Sequence, residues 1–465
     1  MQKAVAKYGL AAHLALLAVA PLFLFPFCGS RETAVILLWL CLCAAIWLVL
    51  SPSLLGGEIL DDARRRILFN IVRDPVFWVL AAVVVTAGVR TLNAGVRVSF
   101  DYETAEWSVL PSALPFLPGS VEGSGFLPFA AALSASIAVL GCRHSLGKSA
   151  RMMFLLILSV LSGIAAFIAL VLLGSGDAVM AAAATASPEK FSGLGVGFAV
   201  CFLCSASALF AVLEQDWGKS MPLLVVAIAG NAAASFAFLS LRDAIVFALA
   251  YIVLLLFSVL CAWKCLNGAK GFKFLLVVLF SLGLACVTVD ASVPDDVLEH
   301  RLSAFDAHES EADPAEETHE NVRAVLSDVA SKAWSENLWT GIGIGAFRYY
   351  PRFYLTKEEL ERLPRRVLVV PNGWWHLLAE RGIIGVVFIV LPFAILFLSY
   401  LLGACRCMRL CSLPEPVAML APFAIAAVVF SAFYCTSMLR AEVLAMSGAI
   451  LSISSKSFPK GDCNG

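Results

Sequence analysis

The chain has 465 residues, of which 60% are hydrophobic and 14% charged, and its mean hydropathy is +0.88. Soluble domains contain about 45–50% apolar and about 25% charged residues, so this composition excludes an ordinary soluble domain and is typical of a membrane protein. The net charge of −1 excludes the strongly basic surface that binding to a phosphate backbone requires, so nucleic acid is not an expected partner.

Apolar runs long enough to cross a membrane recur along the whole chain. A helix needs about 20 apolar residues to cross a hydrocarbon core of about 30 Å. The first run lacks a clear small-x-small cleavage site, so it is interpreted as a span rather than a cleaved signal. The sequence predicts an all-α polytopic membrane protein with about 12 transmembrane helices, at residues 9–27, 33–51, 76–90, 126–142, 152–174, 193–213, 221–239, 244–263, 274–292, 383–404, 416–436 and 441–455.

Basic residues concentrate in alternate loops between these spans, and the positive-inside rule then sets the orientation. The loops predicted to be cytoplasmic contain Lys3, Lys7, Arg64, Arg65, Arg66, Arg143, Lys148, Arg151, Lys264, Lys270, Lys273, Arg406 and Arg409. An even number of spans places both termini on this side. The opposite, extracytoplasmic side receives residues 91–125, 240–243 and a long loop at 294–370.

This topology divides the chain into three regions: nine spans in residues 1–293, the extracytoplasmic loop with short helices in residues 294–370, and a motif helix with three more spans in residues 371–465. The start of the loop is strongly acidic. Residues 294–320 carry ten acidic side chains against the single base Arg301. This imbalance is typical of a mobile, solvated segment.

Neither histidines nor cysteines form a metal-binding pattern. The spacings between His300, His308 and His319 fit no compact ligand set, so no metal or other cofactor is expected. The one CxxC pair, Cys201 and Cys204, lies inside an apolar run and is interpreted as small packing residues.

Two further elements are predicted in the second half of the loop. Apolar residues recur at helical spacing from Glu320 to Asn337, which predicts an amphipathic helix with Arg323 in its first turn. The glycine-rich stretch Gly341–Gly345 follows this helix. Such a turn can bring backbone N–H groups to a phosphate. No strand precedes the glycines, which counts against a dinucleotide-binding site. The alternative interpretation is a tight turn with a packing role.

A short helix is predicted at the end of the loop. Asn372 is its expected N-cap and Gly382 its expected C′ residue. Asn372, His376 and Glu380 follow one another at intervals of four and therefore share one helical face. A carboxylate one turn from a histidine can orient the imidazole as a general base. The competing interpretation is an interfacial histidine hydrogen-bonded to its neighbours.

The stretch from Asn372 to Gly385 resembles the signature of the O-antigen ligase and polymerase family, in which Leu-x-Glu-x-Gly-x-x-Gly enters a span. Arg323 stands eighteen residues before the first glycine of the turn, similar to the family's arginine, helix and Gly-x-Gly-x-Gly-x-Phe block. Residues 240–244, Ser-Leu-Arg-Asp-Ala, resemble the family's Ser-Arg-Gly-Ala at the outer end of a span. The resemblance covers roughly residues 193–404.

This resemblance implies glycan transfer at the outer face of the bacterial inner membrane. Family members move an undecaprenyl-diphosphate-linked glycan onto a hydroxyl of a glycan, a lipid or a protein, without a metal. By the match, Arg242 and Arg323 would bind the diphosphate. The candidate for the catalytic base is His376, which does not stand at the family's histidine position and is suggested by its spacing from Glu380. The positions that would shape the site are Asn372, Glu380, Gly382, Gly341 and Gly343.

Two departures from the family pattern keep other functions open. The family's histidine should precede Asn372, but Pro371 stands there, and the Asn-Pro-Asn motif before the sixth span is absent. His376 or His319 would have to replace the missing base. The alternatives are a polytopic transporter or permease, and a non-catalytic scaffold in envelope polysaccharide assembly.

Overall fold

The structure, a computed structural model, describes residues 2–24, 30–54, 67–93, 97–101, 106–110, 119–121, 125–175, 188–214, 218–239, 247–249, 252, 268–293, 314–356, 370, 372–409 and 441–456. Over these ranges the chain is almost entirely helical. Seven of the helices in the described ranges are long and apolar enough to cross a membrane. The predicted class, a helical multi-pass membrane protein, is confirmed.

The principal helices are numbered in chain order. They are α1 Gln2–Leu24, α2 Ser30–Leu54, α3 Pro75–Leu92, α4 Phe126–His144, α5 Lys148–Gly174, α6 Pro188–Glu214, α7 Met221–Phe238, α8 Gly268–Ser292, α9 Pro314–Glu336, α10 Pro351–Tyr354, α11 Gly373–Arg409 and α12 Ala441–Ser455. Short 3₁₀ turns occupy Gly218–Ser220 and Phe347–Tyr349.

The seven membrane-length helices, α3 to α8 and α11, each coincide with a predicted span. The predicted spans at 9–27, 33–51 and 441–455 correspond to α1, α2 and α12, of which α1 and α12 contribute shorter apolar stretches. The predicted spans at 244–263 and 416–436 lie almost wholly outside the described residues.

Helix α6 forms the centre of the bundle, since its stretch Leu194–Leu213 is completely buried. Close helix contacts depend on small residues. A Cβ added to Gly195 would lie 2.7 Å from the backbone nitrogen of Leu239, and one added to Gly163 would lie 2.8 Å from the Cα of Ala227. Such glycines let two helix backbones approach closely, which is how helices associate in a membrane that offers no hydrophobic driving force between them.

One small β-hairpin departs from the predicted all-helical architecture. Strand β1 (Arg97–Asp101) pairs antiparallel with β2 (Glu106–Leu110), in the region between α3 and α4. Valine and aromatic residues alternate with polar ones along both strands, a period of two that favours β structure. Hydropathy does not reveal this hairpin, because each strand has only five residues and is far shorter than a membrane span.

Helix α9 also begins earlier than predicted. The acidic stretch predicted to be mobile extended to residue 320, but the helix starts at Pro314. Proline is favoured in the first turn because its missing N–H has no partner there in any helix. Residues 294–313 lie outside the described part of the chain.

A buried carboxylate joins three helices at the end of the bundle where α3 begins. Asp74 is the N-cap of α3, and its Oδ1 accepts from the backbone N–H of Val76 at 3.0 Å. Its Oδ2 accepts from Arg143 Nε and lies 2.9 Å from His144 Nε2, both at the end of α4. Arg143 also donates to Ser455 Oγ of α12 at 2.9 Å.

Asp74 is expected to contribute a pH-dependent part of the stability. Burial alone would raise the pKa of the Asp74 carboxyl, but hydrogen bonds from His144 and Arg143 and the charge of Arg143 hold it well below its usual range. A depressed pKa means that this stabilisation is complete above the unfolded value of about 3.9 and is lost as the pH falls from there through the folded value. We expect Asp74→Asn to lower the thermal midpoint of the detergent-solubilised chain most at about pH 7, and by a smaller amount at about pH 3, where part of the stabilisation has been lost. An equal effect at both pH values would contradict this assignment.

Candidate functional site

The short helix that opens α11 begins as predicted. Asn372 Oδ1 accepts from the backbone N–H groups of Trp374 at 2.9 Å and Trp375 at 3.3 Å. The Asn372 carbonyl accepts from the N–H of His376 at 3.0 Å. This is the N-cap arrangement that satisfies amide groups left without partners in the first helical turn, and it fixes where the polar face of the helix starts.

The helix is interrupted at Gly382, where the sequence predicts its end. Gly382 has φ 66° and ψ −178° inside an otherwise helical run, a conformation open almost only to glycine. A Cβ there would lie 2.4 Å from the carbonyl carbon and oxygen of Trp339. Residues 373–381 therefore form a separate short helix, and the membrane-crossing part of α11 starts after the break.

The glycine turn is hydrogen-bonded to the backbone on both sides of Gly382. Ile342 N–H donates to Ala379 O at 2.8 Å, and Gly343 N–H to Glu380 O at 3.1 Å. In return, two amides that follow Gly382 donate to carbonyls that precede the turn: Ile383 N–H to Leu338 O at 3.0 Å and Ile384 N–H to Trp339 O at 3.1 Å. The carbonyls at the end of the short helix would otherwise lack intrahelical partners. The turn supplies them.

Three glycines make this contact possible. Gly341, Gly343 and Gly345 have φ values of 70°, 109° and 75°, in the region that side chains with a Cβ disfavour. A Cβ on Gly341 would lie 2.6 Å from the Arg381 nitrogen and 2.6 Å from the Glu380 carbonyl carbon. Of the two interpretations of the glycine-rich stretch, the structure supports a tight turn with a packing role.

Arg90, at the end of α3, completes the junction. Its Nη2 donates to Thr340 O at 3.0 Å and Arg381 O at 3.2 Å, and its Nη1 to Glu380 O at 3.3 Å. The residue is only 4% exposed, so its charge is compensated by carbonyl dipoles and by the C-terminal dipole of the short helix. One guanidinium thus joins the span α3 to both the turn and the helix end.

The carboxylate of Glu380 is held by the other side of the same turn. Glu380 Oε1 accepts from the backbone N–H of Gly345 at 3.0 Å and of Phe347 at 3.4 Å. Glu380 Oε2 faces His376 Nε2 at 3.6 Å. His376 Nδ1 is buried and has no hydrogen-bond partner among the residues that the structure describes. The backbone therefore orients a carboxylate, and the carboxylate faces one imidazole nitrogen.

Aromatic and apolar side chains enclose this pair. The Phe347 ring meets the His376 ring edge-on with centroids 6.0 Å apart, and the Trp334 and Trp375 rings lie 5.7 Å apart. Together with Phe347 and Trp375, a compact cluster is formed by Val121, Leu326, Val329, Ala330, Ala333, Ile342, Ala346, Val370 and Ala379. The cluster packs α9 against the short helix, so α9 and the glycine turn are part of the folded structure rather than a free loop.

Further hydrogen bonds hold the turn and the segments next to it. Ile344 exchanges backbone hydrogen bonds with residues 119–121, donating to Gly119 O at 3.3 Å and accepting from Val121 N–H at 3.0 Å. Tyr354 donates to a carboxylate oxygen of Glu336 at the end of α9. Burial and this hydrogen bond raise the pKa of Tyr354, so the phenol stays protonated as a donor.

The predicted site residues divide into two groups. Asn372, His376, Glu380, Gly382 and the glycines of the turn form one connected structure. The two predicted diphosphate ligands are not tested: Arg242 lies outside the described residues, and Arg323 lies on α9 without a described side chain.

Arg90 is the site residue that sequence reasoning missed. Its one signal was a lone cation in the last turn of an otherwise apolar span. Charged residues in spans are costly and normally face a polar partner. That partner, however, is 290 residues away in the sequence, so the pairing could not be read from local spacing.

The role of Glu380 as a structural acceptor gives a stability prediction. Replacing Glu380 by Ala leaves the part-buried amide of Gly345 and the buried amide of Phe347 without their acceptor and should cost about 2–3 kcal/mol. Glu380→Gln keeps an oxygen that can accept from both amides, so we expect it to cost less than about 1 kcal/mol. Thermal unfolding of the purified variants measures both. Equal losses would show that the charge, rather than the hydrogen bonding, stabilises the site.

No protein-family model matches the chain, and no curated protein matches it significantly.

Proposed function

We propose that the chain is a metal-independent membrane glycosyltransferase of the O-antigen ligase and polymerase type. It would have about twelve transmembrane helices in the bacterial inner membrane, with both termini cytoplasmic and the large loop outside. Its donor would be an undecaprenyl-diphosphate-linked glycan, and its acceptor a hydroxyl group of a glycan, a lipid or a protein.

The observation that carries this proposal is the oriented pair of His376 and Glu380. Glu380 cannot rotate freely, because two backbone amides hold one of its oxygens. A carboxylate beside one imidazole nitrogen favours the proton on that nitrogen and leaves the other as the proton acceptor. Here the acceptor would be Nδ1, the atom without a described partner.

The reaction needs only this base and a stabilised leaving group. The acceptor oxygen would attack the anomeric carbon of the donor's first sugar while His376 Nδ1 takes the hydroxyl proton. The bond between that carbon and the diphosphate oxygen breaks, and undecaprenyl diphosphate leaves with the electron pair. Cations that offset the charge of the diphosphate promote this departure, and the match gives that part to Arg242 and Arg323, since forked guanidinium groups suit phosphate oxygens.

Pro371 is the main departure from the family pattern. The family's base precedes the position of Asn372, whereas His376 lies after it. The interaction of Glu380 with the turn supports a relocated base, because it gives His376 the fixed partner that a catalytic imidazole requires. The base would then act from the folded helix rather than from the loop before it.

Complementation in the native host tests the proposal. Cells that lack the gene receive wild-type protein, His376→Ala, Glu380→Gln or, as a matched control, Trp339→Phe, since Trp339 is exposed beside the site. We expect the wild type and the control to restore surface polysaccharide. His376→Ala should fail and Glu380→Gln should restore about a tenth or less at equal protein abundance, because general-base catalysis contributes about 10²–10⁴-fold.

The other two functions predict different results. Polysaccharide that is unchanged in cells without the gene, together with lost solute uptake, would show a transporter. Restoration by His376→Ala to the wild-type level, with polysaccharide lost only when the protein is absent, would show a scaffold. Either result contradicts the proposed transferase.

A further inference from the structure

An aromatic segment follows the glycine turn. Residues 347–354 read Phe-Arg-Tyr-Tyr-Pro-Arg-Phe-Tyr and comprise the 3₁₀ turn and α10. Phe347 is fully buried, and its ring meets the His376 ring edge-on. The backbone N–H of Phe347 donates to Glu380 Oε1. The aromatic segment therefore begins at the candidate catalytic pair.

The tyrosine rings of this segment form a partly exposed surface. The Tyr350 and Tyr354 rings are stacked, with centroids 6.4 Å apart and planes inclined by 29°, and the Phe353 ring lies 5.4 Å from the Tyr350 ring. Tyr349, Tyr350 and Tyr354 pack against the apolar cluster that joins α9 to the short helix. This packing fixes the rings, so a ligand that contacts them orders little further side-chain motion. The negative face of such a ring attracts the C–H groups of a sugar.

Arg348 lies over one of these rings. The residue is exposed, and its guanidinium carbon lies 4.8 Å from the centre of the Tyr349 ring. A guanidinium over a ring face is held by the attraction between the cation and the ring and keeps its N–H donors available. Two of these donors can bind one carboxylate through parallel hydrogen bonds. The surface thus offers a ring face for a sugar next to a cation for an acid group.

The neighbouring surface of α9 is charged and exposed, which favours a water-soluble ligand over a membrane lipid. Tyr354 donates to Glu336 at the end of α9. Asp328 and Lys332 form an ion pair on the same helix, with side chains that are 60% and 54% exposed. Charged side chains are costly on a surface in contact with hydrocarbon. The aromatic segment therefore adjoins water, on the outer side of the membrane in the proposed orientation.

We propose that the aromatic segment binds an acidic glycan, with a sugar ring on the tyrosine surface and the carboxylate of the sugar on Arg348. This rests on the proposed transferase function, for which it names the acceptor: a glycan chain that contains a uronic acid or another carboxylated sugar. A chain bound there lies beside the candidate base, because Phe347 joins the segment to His376 and Glu380.

Binding to the purified full-length chain in detergent tests this assignment. Tetragalacturonate, the neutral maltotetraose and monomeric galacturonate are each titrated by calorimetry, and phosphatidylglycerol is added as a competitor. We expect tetragalacturonate to bind more tightly than the other two sugars, and the lipid not to displace it. Arg348→Gln should weaken its binding at least about tenfold, because the carboxylate loses its charge-assisted hydrogen bonds.

Three further variants separate recognition from folding. Tyr349→Phe keeps the ring and should bind like the wild type, whereas Tyr349→Leu should bind about three- to tenfold more weakly. Lys219→Gln removes an exposed cation between α6 and α7 and should leave binding unchanged. The thermal midpoint of each variant shows whether it is folded, and the exposed position of Arg348 makes misfolding of Arg348→Gln an unsuitable explanation for a loss of binding.

Equal binding of tetragalacturonate by Arg348→Gln and the wild type would overturn the proposal. So would maltotetraose or galacturonate bound as tightly as tetragalacturonate, since the site would then recognise a neutral glycan or a small anion. Displacement by phosphatidylglycerol would show a lipid site instead.

The binding experiment needs no donor, so its outcome is separate from that of the transfer reaction. Binding of tetragalacturonate by a folded chain that releases no undecaprenyl diphosphate would contradict the transferase but not the glycan site. Release of undecaprenyl diphosphate by a chain that does not bind tetragalacturonate would contradict the acidic acceptor alone.

Discussion

Gly382→Ala is expected to separate the glycine turn from the short helix and to destabilise the protein by about 3 kcal/mol or more. Two costs combine. The backbone at φ 66° and ψ −178° is essentially restricted to glycine. The new Cβ would also lie 2.4 Å from the Trp339 carbonyl, which is backbone held by its hydrogen bond to Ile384 and cannot easily move.

The matched control is Gly283→Ala. Gly283 lies inside α8, and no atom stands within 4 Å of the position of its Cβ. Alanine there should stabilise the helix by up to about 1 kcal/mol. Thermal unfolding measures both variants, and limited proteolysis shows whether cleavage of the Gly382 variant concentrates in residues 337–347. A Gly382→Ala protein as stable as the wild type would contradict the described junction.

Arg90→Met is expected to have the second large effect, about 3 kcal/mol. The methionine keeps an unbranched apolar chain in the span but removes three hydrogen bonds from a charged donor, which contribute about 1.5–3 kcal/mol each before partial compensation. Arg90→Lys should recover only part of the loss, because a compact ammonium cannot reach three separate carbonyls in the way that a forked guanidinium does.

Arg348→Met serves as the control for Arg90. Arg348 is an exposed arginine just after the glycine turn, and its replacement should change the stability by less than about 0.5 kcal/mol. Thermal unfolding and protease resistance of residues 337–347 are compared for the three variants. Equal resistance in Arg90→Met and the wild type would show that the hydrogen bonds within the turn suffice without Arg90.

Local chemistry allowed much of the site to be predicted. The Asn372 cap, the stop at Gly382 and the four-residue spacing of His376 and Glu380 each follow from the properties of a single helix. The glycine stretch likewise indicates a tight turn, since glycine accepts positive φ at little cost. All of these features depend only on residues close together in the chain.

What could not be predicted is how these pieces meet. The turn binds the carbonyls of Ala379 and Glu380, and Arg90 joins both from a distant span. Backbone hydrogen bonds between remote segments leave no residue-type signature, because any residue has an N–H and a C=O to offer. The pairing of β1 with β2 could not be predicted for a related reason. Each strand is stabilised by side chains of its partner strand, which its own residues do not reveal.

The same argument explains the cluster at Asp74. Arg143 and His144 lie at the end of α4 and Ser455 at the end of α12, and nothing in their sequence neighbourhoods relates them to the start of α3. Helix packing brings Arg143 and His144 to Asp74, and Ser455 to Arg143.

The most direct test of the proposed transferase is release of undecaprenyl diphosphate by the purified full-length chain. The protein is supplied with the host's undecaprenyl-diphosphate-linked glycan and a host envelope extract as the source of acceptors, in the presence of EDTA. We predict that the wild type releases undecaprenyl diphosphate only when the extract is present, and that His376→Ala reduces the rate at least 100-fold. Release at the same rate by His376→Ala, or no release by a folded wild-type protein, would contradict the assignment of His376 and Glu380 as the catalytic pair.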